Sequence, residues 1–408
     1  MTRHDRRFRV VLTAFLAWSA LAGAALAGAA PASAAPDARR IAPGVQYSEF
    51  DIPAAHGVTR AHLVTVDLRD PRVRVDLLHP RAVAARATVS QLVGAQRAVA
   101  GINGDFFNIT ETQHPWVPAT GSAVGPAVAS GHTLKAAVPR GQRFGPALPP
   151  GTSTEDVLGV GTDGAARLDR LTLDGSVTTP GERLPLRGLN QYALPEGSIG
   201  AYTSDWGSVS RLRAVCGTDT DRGGPCSTDS YEVTIRGGRV AATADHPGSG
   251  PIAADSTVLV GREAGARQLR KLFTGEKVQV RHQLVAAASG VPYRFAVGGF
   301  PVLRHGTPLP GLDATTSAVR TAVGIEDGGR RLLLLALDGS AAYRSGLTVS
   351  EVARTLRWLG ATDGFNLDGG GSTTLVTRSS ATGTVSVRNH PSAGAERPVP
   401  DGIGVFGS

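Results

Sequence analysis

The run Leu332-Leu333-Leu334-Leu335-Ala336-Leu337 is apolar throughout, with no polar residue in alternation. A strand with one wet face alternates; a run that does not alternate must bury both faces, which predicts a central strand covered on either side. A fold built around such a strand needs packed layers above and below it. The remaining sequence agrees with a sheet-rich chain: 52 glycines, 26 prolines and 5% aromatics accompany short alternating runs at 64–68, 73–78, 232–235 and 278–284. The expected class is α+β, a mixed, sheet-rich core with a few flanking helices and a β-rich insertion.

Two helices announce themselves by capping boxes. Thr88-Val89-Ser90-Gln91 and Thr348-Val349-Ser350-Glu351 each place a hydroxyl three residues ahead of Gln or Glu, before an apolar run. In the second, Val349, Val352, Ala353, Leu356 and Leu359 share a helical face and Gly360 is a natural stop. Glu351 is read as the capping partner. Each helix is followed by a short strand and Asn-x-Asp, at Asn103-Gly104-Asp105 and Asn366-Leu367-Asp368. This predicts two related units on neighbouring strands whose acids face one pocket.

Residues 1–34 have the pattern of a cleaved secretory signal: Arg3, Arg6, Arg7 and Arg9, an Ala/Gly/Leu run, then Ala32-Ser33-Ala34. Arg6-Arg7 leaves the export route, general or twin-arginine, open. Without that segment the formal charge falls from +8 to about +5, a mild excess with no basic cluster, which excludes a nucleic-acid groove. No membrane span is expected after cleavage, and the protein is expected outside the cell. There, Cys216 and Cys226, the two cysteines, form a disulfide whose short loop stabilises by roughly 2.5–3 kcal/mol in the chain-entropy model. Asp219 and Asp221 inside that loop lack the downstream Glu of a calcium site.

The expected organisation is a catalytic domain in two parts, 35–149 and 291–408, flanking a β-rich insertion or subdomain at 150–290 that carries the disulfide. Asp163-Gly164, Asp174-Gly175 and Gly237-Gly238 read as hairpin turns there. Asn190-Gln191-Tyr192 and the stretch from Tyr202 to Trp206 either line a sugar site or pack in the core.

The segment Asn366-Leu367-Asp368-Gly369-Gly370-Gly371-Ser372-Thr373-Thr374 puts an acid, three glycines and three hydroxyls in succession. A turn needs one or two glycines; three point to positive φ or to close approach of another group, and so to a site. Asn103-Gly104-Asp105-Phe106-Phe107, Gly298-Gly299, Arg320-Thr321-Ala322-Val323-Gly324, Asp338-Gly339-Ser340 and the tail from Asn389 to Val399 also set polar residues beside glycine or proline.

In motif and order these segments resemble the phosphodiester glycosidase family: Asn-Gly-x-[Phe/Tyr]-Phe at Asn103, Gly-Gly at Gly298, Arg-Thr-Ala-[Val/Ile]-Gly at Arg320, Asp-Gly at Asp338, Asn-Leu-Asp-Gly-Gly-Gly-Ser at Asn366, then Pro391-Ser392 and Arg397. The resemblance spans about 60–125 and 290–408. It departs at Asp105, where the family has glycine, so a different substrate is expected. It implies cleavage between C1 of a sugar and a phosphodiester oxygen, releasing free sugar and a phosphomonoester.

That chemistry suits the residues. A phosphate leaving group, with a second pKa of about 6, needs little protonation, so a cationic clamp matters more than a general acid. Asp368 is the expected nucleophile or base, with Asp338 and Asp105 as second carboxylates or sugar ligands. Arg320 and the amides of Gly369, Gly370 and Gly371, with Ser372 and Thr373, would hold the phosphate, and Arg397 is a second cation. Asn103, Asn366 and Thr321 would supply neutral hydrogen bonds. No cofactor is expected. Two other readings compete: a metal-dependent phosphodiesterase in which Asp105, Asp338, Asp368 and His305 or His390 hold metal ions for attack at phosphorus, and a secreted glycan-binding or envelope protein without turnover. Oligomeric state is not legible.

Overall fold

The all-apolar run becomes the strand Arg331–Leu337, and its alternate residues feed two separate cores. Leu333, Leu335 and Leu337 join the cluster containing Val349, Val352 and Leu356 of the helix behind the sheet, while Leu332, Leu334 and Ala336 join the cluster containing Ile102, Ile403, Phe295 and Phe365. Each of the leucines contributes about 1.5–3 kcal/mol on burial, so the strand is anchored from both faces. A computed structural model describes residues 38–407, so the signal pattern at 1–34 lies outside the described residues. The described residues belong to one compact unit.

The anchored strand is central in an eight-stranded sheet. The order is Arg39–Ala42, Val45–Ala54, Gly57–Asp67, Arg331–Leu337, Thr321–Glu326, Asp363–Asn366, Phe300–Arg304 and Thr307–Pro308. A five-stranded sheet runs Val385–Val387, Leu375–Arg378, Ala100–Asn103, Gly402–Gly407 and Val73–Leu78. Apolar residues of these two sheets and of the strands Ala127–Ala129, Asp156–Gly161 and Tyr293–Gly298 share one core cluster. Those last three belong to a seven-stranded sheet that also takes in Ala166–Thr178 and Gln279–Ala286. A further five-stranded sheet is drawn wholly from residues 188–262.

Three α-helices are found among the described residues: α1 (Val89–Gln96), α2 (Ala264–Leu269) and α3 (Val349–Trp358). Both capping boxes form, with Thr88 and Thr348 accepting from the amides of Gln91 and Glu351 and the reciprocal bonds present. The Glu351 carboxylate also accepts from Ala55 N–H at 2.8 Å. The short α2 was not foreseen: Glu263 precedes it with no side-chain cap. No helix among the described residues is long and apolar enough to cross a membrane.

One local expectation is corrected. Asp174-Gly175 is not a turn but lies inside the long strand Ala166–Thr178, where the bare Gly175 makes room for Leu186; the other two Gly-containing turns do join strands, at 162–165 and 237–238. Of the two roles left open for Tyr192, Tyr202 and Trp206, core packing is the one observed: all three are wholly buried. The Tyr192 and Tyr202 hydroxyls donate to the carbonyls of Gln142 and Gln191, each at 2.8 Å, and Asn190 donates to Leu134 carbonyl.

Candidate active site

Antiparallel pairing brings several of the singled-out residues to one rim. Ala322 pairs with Asn366 and Thr321 with Ala336, so Arg320, Asp338 and Asp368 all leave the eight-stranded sheet at the same edge. In the facing sheet Gly402 pairs with Asn103, which brings Asp401 and Asp105 out together. The two Asn-x-Asp segments are therefore not on neighbouring strands, as their similarity led us to expect. They end strands of different sheets, and it is the strand ends that meet: Asp368 N–H donates to Gly104 carbonyl at 3.0 Å, and Asn103 Nδ2 donates to Asp368 carbonyl at 2.7 Å.

Asp368 keeps partial solvent contact. Burial among protein atoms is nonetheless the largest influence on its carboxyl and pushes it up to about 6, against the bond to Ser372, the charge of Arg397 and the Gly369 amide at 3.0 Å. The charge of Asp105 raises it further. Asp105 is itself buried, accepting from the amides of Phe106 at 2.7 Å and Gly125 at 2.5 Å. Burial lifts its carboxyl above the ordinary range. A Cβ at Gly298 would stand 2.3 Å from Asp105 Oδ2, which explains the first glycine of that Gly-Gly pair.

Three charged neighbours went unnoticed in the sequence. Asp401 is buried, accepts the Asp105 amide at 2.8 Å, and is pushed up to about 7 by burial and by the charge of Asp105. Lys135 is buried and donates to the carbonyls of Ala136 at 2.7 Å, Gly125 and Val124. Burial brings its ammonium down to about 8, while Asp105 and Asp401 pull the other way. Two buried acids beside one ammonium are balanced when the acids share a proton. Arg143, whose charge is felt at Asp105 and Asp368, lies over the rings of Phe106 (5.1 Å) and Phe300 (6.0 Å). None of the three stands in a recognisable motif; only the Lys135 position, a lysine within a strand, carried any signal.

The three glycines have three different reasons. A Cβ at Gly369 would meet Val319 carbonyl oxygen at 2.7 Å, Gly370 has φ +58°, and a Cβ at Gly371 would stand 2.4 Å from Arg397 Nη2. Arg397 Nη1 donates to Ser372 Oγ at 3.2 Å. The expected phosphate cradle is reduced accordingly. Gly369 N–H is taken by Asp368, Gly370 N–H by Val319 carbonyl at 2.7 Å, and Thr373 Oγ by Thr321 at 3.2 Å, which leaves Gly371 N–H.

Other candidates turn inward. Arg320 donates through Nε to Leu347 carbonyl at 2.9 Å and through Nη2 to Thr316 carbonyl at 2.7 Å. Burial lowers its basicity, and the charge it feels is that of Asp313 rather than Asp368. Asn103 Oδ1 accepts from Thr321 Oγ at 2.8 Å and Thr374 N–H at 3.1 Å, so Asn103 and Thr321 tie strands together. Asn366 Nδ2 donates to Leu367 carbonyl at 2.9 Å, and its buried Oδ1 has no partner. Asp338 Oδ2 meets His62 Nε2 at 3.2 Å and His390 Nδ1 at 2.8 Å, and Oδ1 accepts Ser340 N–H at 2.8 Å. Burial alone would raise Asp338, but the bonds from Ser340 and His390 outweigh it and hold the carboxyl well below the usual range. Burial lowers His62 against the pull of Asp338. His305 occupies a surface turn at φ +49°, and among the described residues no three His, Cys, Asp or Glu side chains converge closely enough to hold a metal ion.

Cys216 and Cys226 are bonded, as expected. A cavity of about 740 Å³ bordered by Thr178, Arg239 and Lys277 includes none of the acids above and stands apart from this chemistry.

Residues 229–406 match the phosphodiester glycosidase family. The match begins well before residue 290 and takes in Arg320, Asp338, Asp368, Arg397 and Asp401, while Asn103, Asp105, Lys135 and Arg143 precede it. No curated protein matches the chain by sequence. The fold is shared with a hypothetical protein from Synechocystis at TM-score 0.69 and 21% identity, over 92% of this chain and 64% of that one. This chain thus spans 64% of the Synechocystis protein's length. It is shared also with a protein of Burkholderia pseudomallei at TM-score 0.64 and 23% identity, over 86% and 74% of the two chains. The zebrafish N-acetylglucosamine-1-phosphodiester alpha-N-acetylglucosaminidase catalytic domain is more distant, at TM-score 0.44 and 15% identity over 91% and 86%.

Proposed function

We propose that this protein hydrolyses sugar-1-phosphodiesters at the C1–O bond, giving free sugar and a phosphomonoester. The observation that carries the reading is the placement of Asp368: a carboxylate at a strand end, near neutral in affinity for protons, between the acid Asp105 and the cation Arg397. Asp368 either attacks C1, breaking the bond to the phosphate oxygen and forming a glycosyl ester that water then hydrolyses, or takes a proton from the water that attacks C1 directly. The departing phosphate oxygen needs no strong acid, because the phosphomonoester it becomes has a pKa of about 6. Arg397 and the free amide of Gly371 offer positive charge for that oxygen. Asp105 and Asp401 hold a proton between them within the same rim, and Lys135 keeps the pair near neutrality.

The family match over residues 229–406 supports the reaction class. We further propose that the protein works outside the cytoplasm, which the leader pattern at 1–34 and the Cys216–Cys226 disulfide support. The substrate differs from that of relatives with glycine at the Asp105 position, since a buried carboxyl there takes space and offers a hydrogen-bond acceptor.

Incubation with UDP-N-acetylglucosamine or a sugar-1-phosphate methyl ester, followed by product identification, tests the reaction. Free reducing sugar with the intact phosphomonoester or diphosphate is the expected outcome. A sugar-1-phosphate product would mean attack at phosphorus and overturn the assignment of Asp368.

A further inference from the structure

Arg143 is an unfinished interaction. Its Nη1 donates to Pro146 carbonyl, but Nε is buried and has no acceptor, and the side chain forms no ion pair with a carboxylate among the described residues. A desolvated guanidinium normally has an anion beside it. Elsewhere in this protein the same edge of the guanidinium is used for that purpose. Arg211 grips Glu232 through Nε at 2.9 Å and Nη2 at 2.8 Å, and Arg60 grips Asp51 through Nε at 2.7 Å and Nη2 at 3.2 Å. In Arg143 that edge has no acceptor from the protein, on a side chain steadied over Phe106 and Phe300.

The backbone that carries Arg143 is held by the disulfide loop. Gly141 N–H donates to Asp219 carbonyl at 2.9 Å, and Gln142 Nε2 to Thr218 carbonyl at 2.5 Å. From the same loop Arg222 Nη1 donates to Arg143 carbonyl at 2.7 Å while its guanidinium lies 4.0 Å over Phe144. The wholly buried Arg213 donates to Gln142 Oε1 at 2.9 Å and to Cys216 carbonyl at 3.0 Å. A Cβ at Gly217 would stand 2.2 Å from Gln142 Nε2, so the loop and the 140–143 turn are in direct contact.

Building on the hydrolase reading above, we propose that the Nε–Nη2 edge of Arg143 binds the two non-bridging oxygens of the substrate phosphodiester, and that the Cys216–Cys226 loop positions it for this. A phosphodiester is a singly charged group with two equivalent oxygens, which suits one planar edge. The staple at 216–226 is then part of substrate recognition, acting through Arg143, although it contributes no atom to the site.

The test uses dimethyl phosphate, a diester with no sugar to cleave, titrated into the full-length protein and followed by phosphorus NMR. Arg143→Ala is expected to weaken its binding about 10- to 100-fold, as loss of a charge-assisted pair would, and Arg143→Lys to restore only part because the planar edge is gone. Binding of free N-acetylglucosamine should not change. The paired variant Cys216→Ser/Cys226→Ser should lose several-fold in dimethyl phosphate affinity and raise KM more than it lowers kcat. Arg222→Ala, which removes the hold on Arg143 carbonyl without touching the disulfide, should do the same. Wild-type affinity for dimethyl phosphate in Arg143→Ala, or no binding by the wild type, overturns the proposal. Wild-type affinity in Arg222→Ala overturns the positioning role. Because binding is read without turnover, a wild type that binds the diester yet releases no sugar would sink the hydrolase reading and leave Arg143 as an anion ligand.

Discussion

Gly371→Ala separates a glycine kept for its backbone from one kept for its neighbour. Gly371 is not among the positive-φ residues, so alanine is conformationally acceptable there. The added methyl, however, would sit 2.4 Å from Arg397 Nη2 and 2.8 Å from its Cζ. The far end of a flexible side chain gives way before backbone does, so Arg397 should swing out and lose Ser372. The cost in folding stability is then small, partly offset by the roughly 0.4–1 kcal/mol that Gly→Ala gains through the unfolded chain. The cost in activity is the loss of one charge-assisted contact to phosphate, about 1.5–3 kcal/mol, or about 10- to 150-fold in kcat/KM. Arg397→Ala should fall by a similar factor, and adding Gly371→Ala to it should change little more, since both act on one guanidinium. Steady-state kinetics with UDP-N-acetylglucosamine, beside thermal melts, reads both quantities. Unchanged kcat/KM in Gly371→Ala, or losses that multiply in the double variant, would refute the argument.

Other expectations follow from the acids. Asp368→Asn should reduce kcat about 10²–10⁴-fold, the range for a general base, with product formation as the assay. In the wild type kcat/KM should rise as pH increases through about 6, because the carboxylate is the working form and its carboxyl is pushed up to about 6; a profile flat from pH 5 to 8 would contradict it. Because Asp368 binds its proton more tightly folded than unfolded, its contribution to stability is present at low pH and lost as pH rises from 3.8 through about 6. Asp368→Asn should therefore melt higher than wild type at neutral pH, by at most about 3 kcal/mol and less to the extent that solvent reaches the group, with the gain vanishing in acid. Lys135→Met would leave Asp105 and Asp401 without their counter-charge and should cost about 3 kcal/mol or more in denaturant unfolding.

Much of the scaffold was legible because it depends on local pattern. Both capping boxes, the doubly buried strand at 332–337 and the strand at Val73–Leu78 follow from spacing alone. Asp174-Gly175 misled because a glycine placed to admit Leu186 looks the same in sequence as one placed to turn the chain. Tyr192, Tyr202 and Trp206 were ambiguous for a related reason: an aromatic with a polar tip serves a sugar or a core equally well until its hydroxyl is seen on a backbone carbonyl.

By itself the sequence determined that 366–374 is a special segment, that Asp105 and Asp368 are acids set at the ends of Asn-x-Asp strands, and that the two cysteines pair. Only the tertiary structure decided what surrounds Asp368. It turned Arg320 toward the carbonyls of Leu347 and Thr316, closed Asp338 in the bonds of His62, His390 and Ser340, and brought Asp401, Lys135 and Arg143 to the rim. The physical reason is range. Caps, turns and strand periodicity are set within a few residues, whereas the field at a carboxylate is the sum of charges delivered by strands hundreds of residues apart, and their pairing register alone decides which ones arrive.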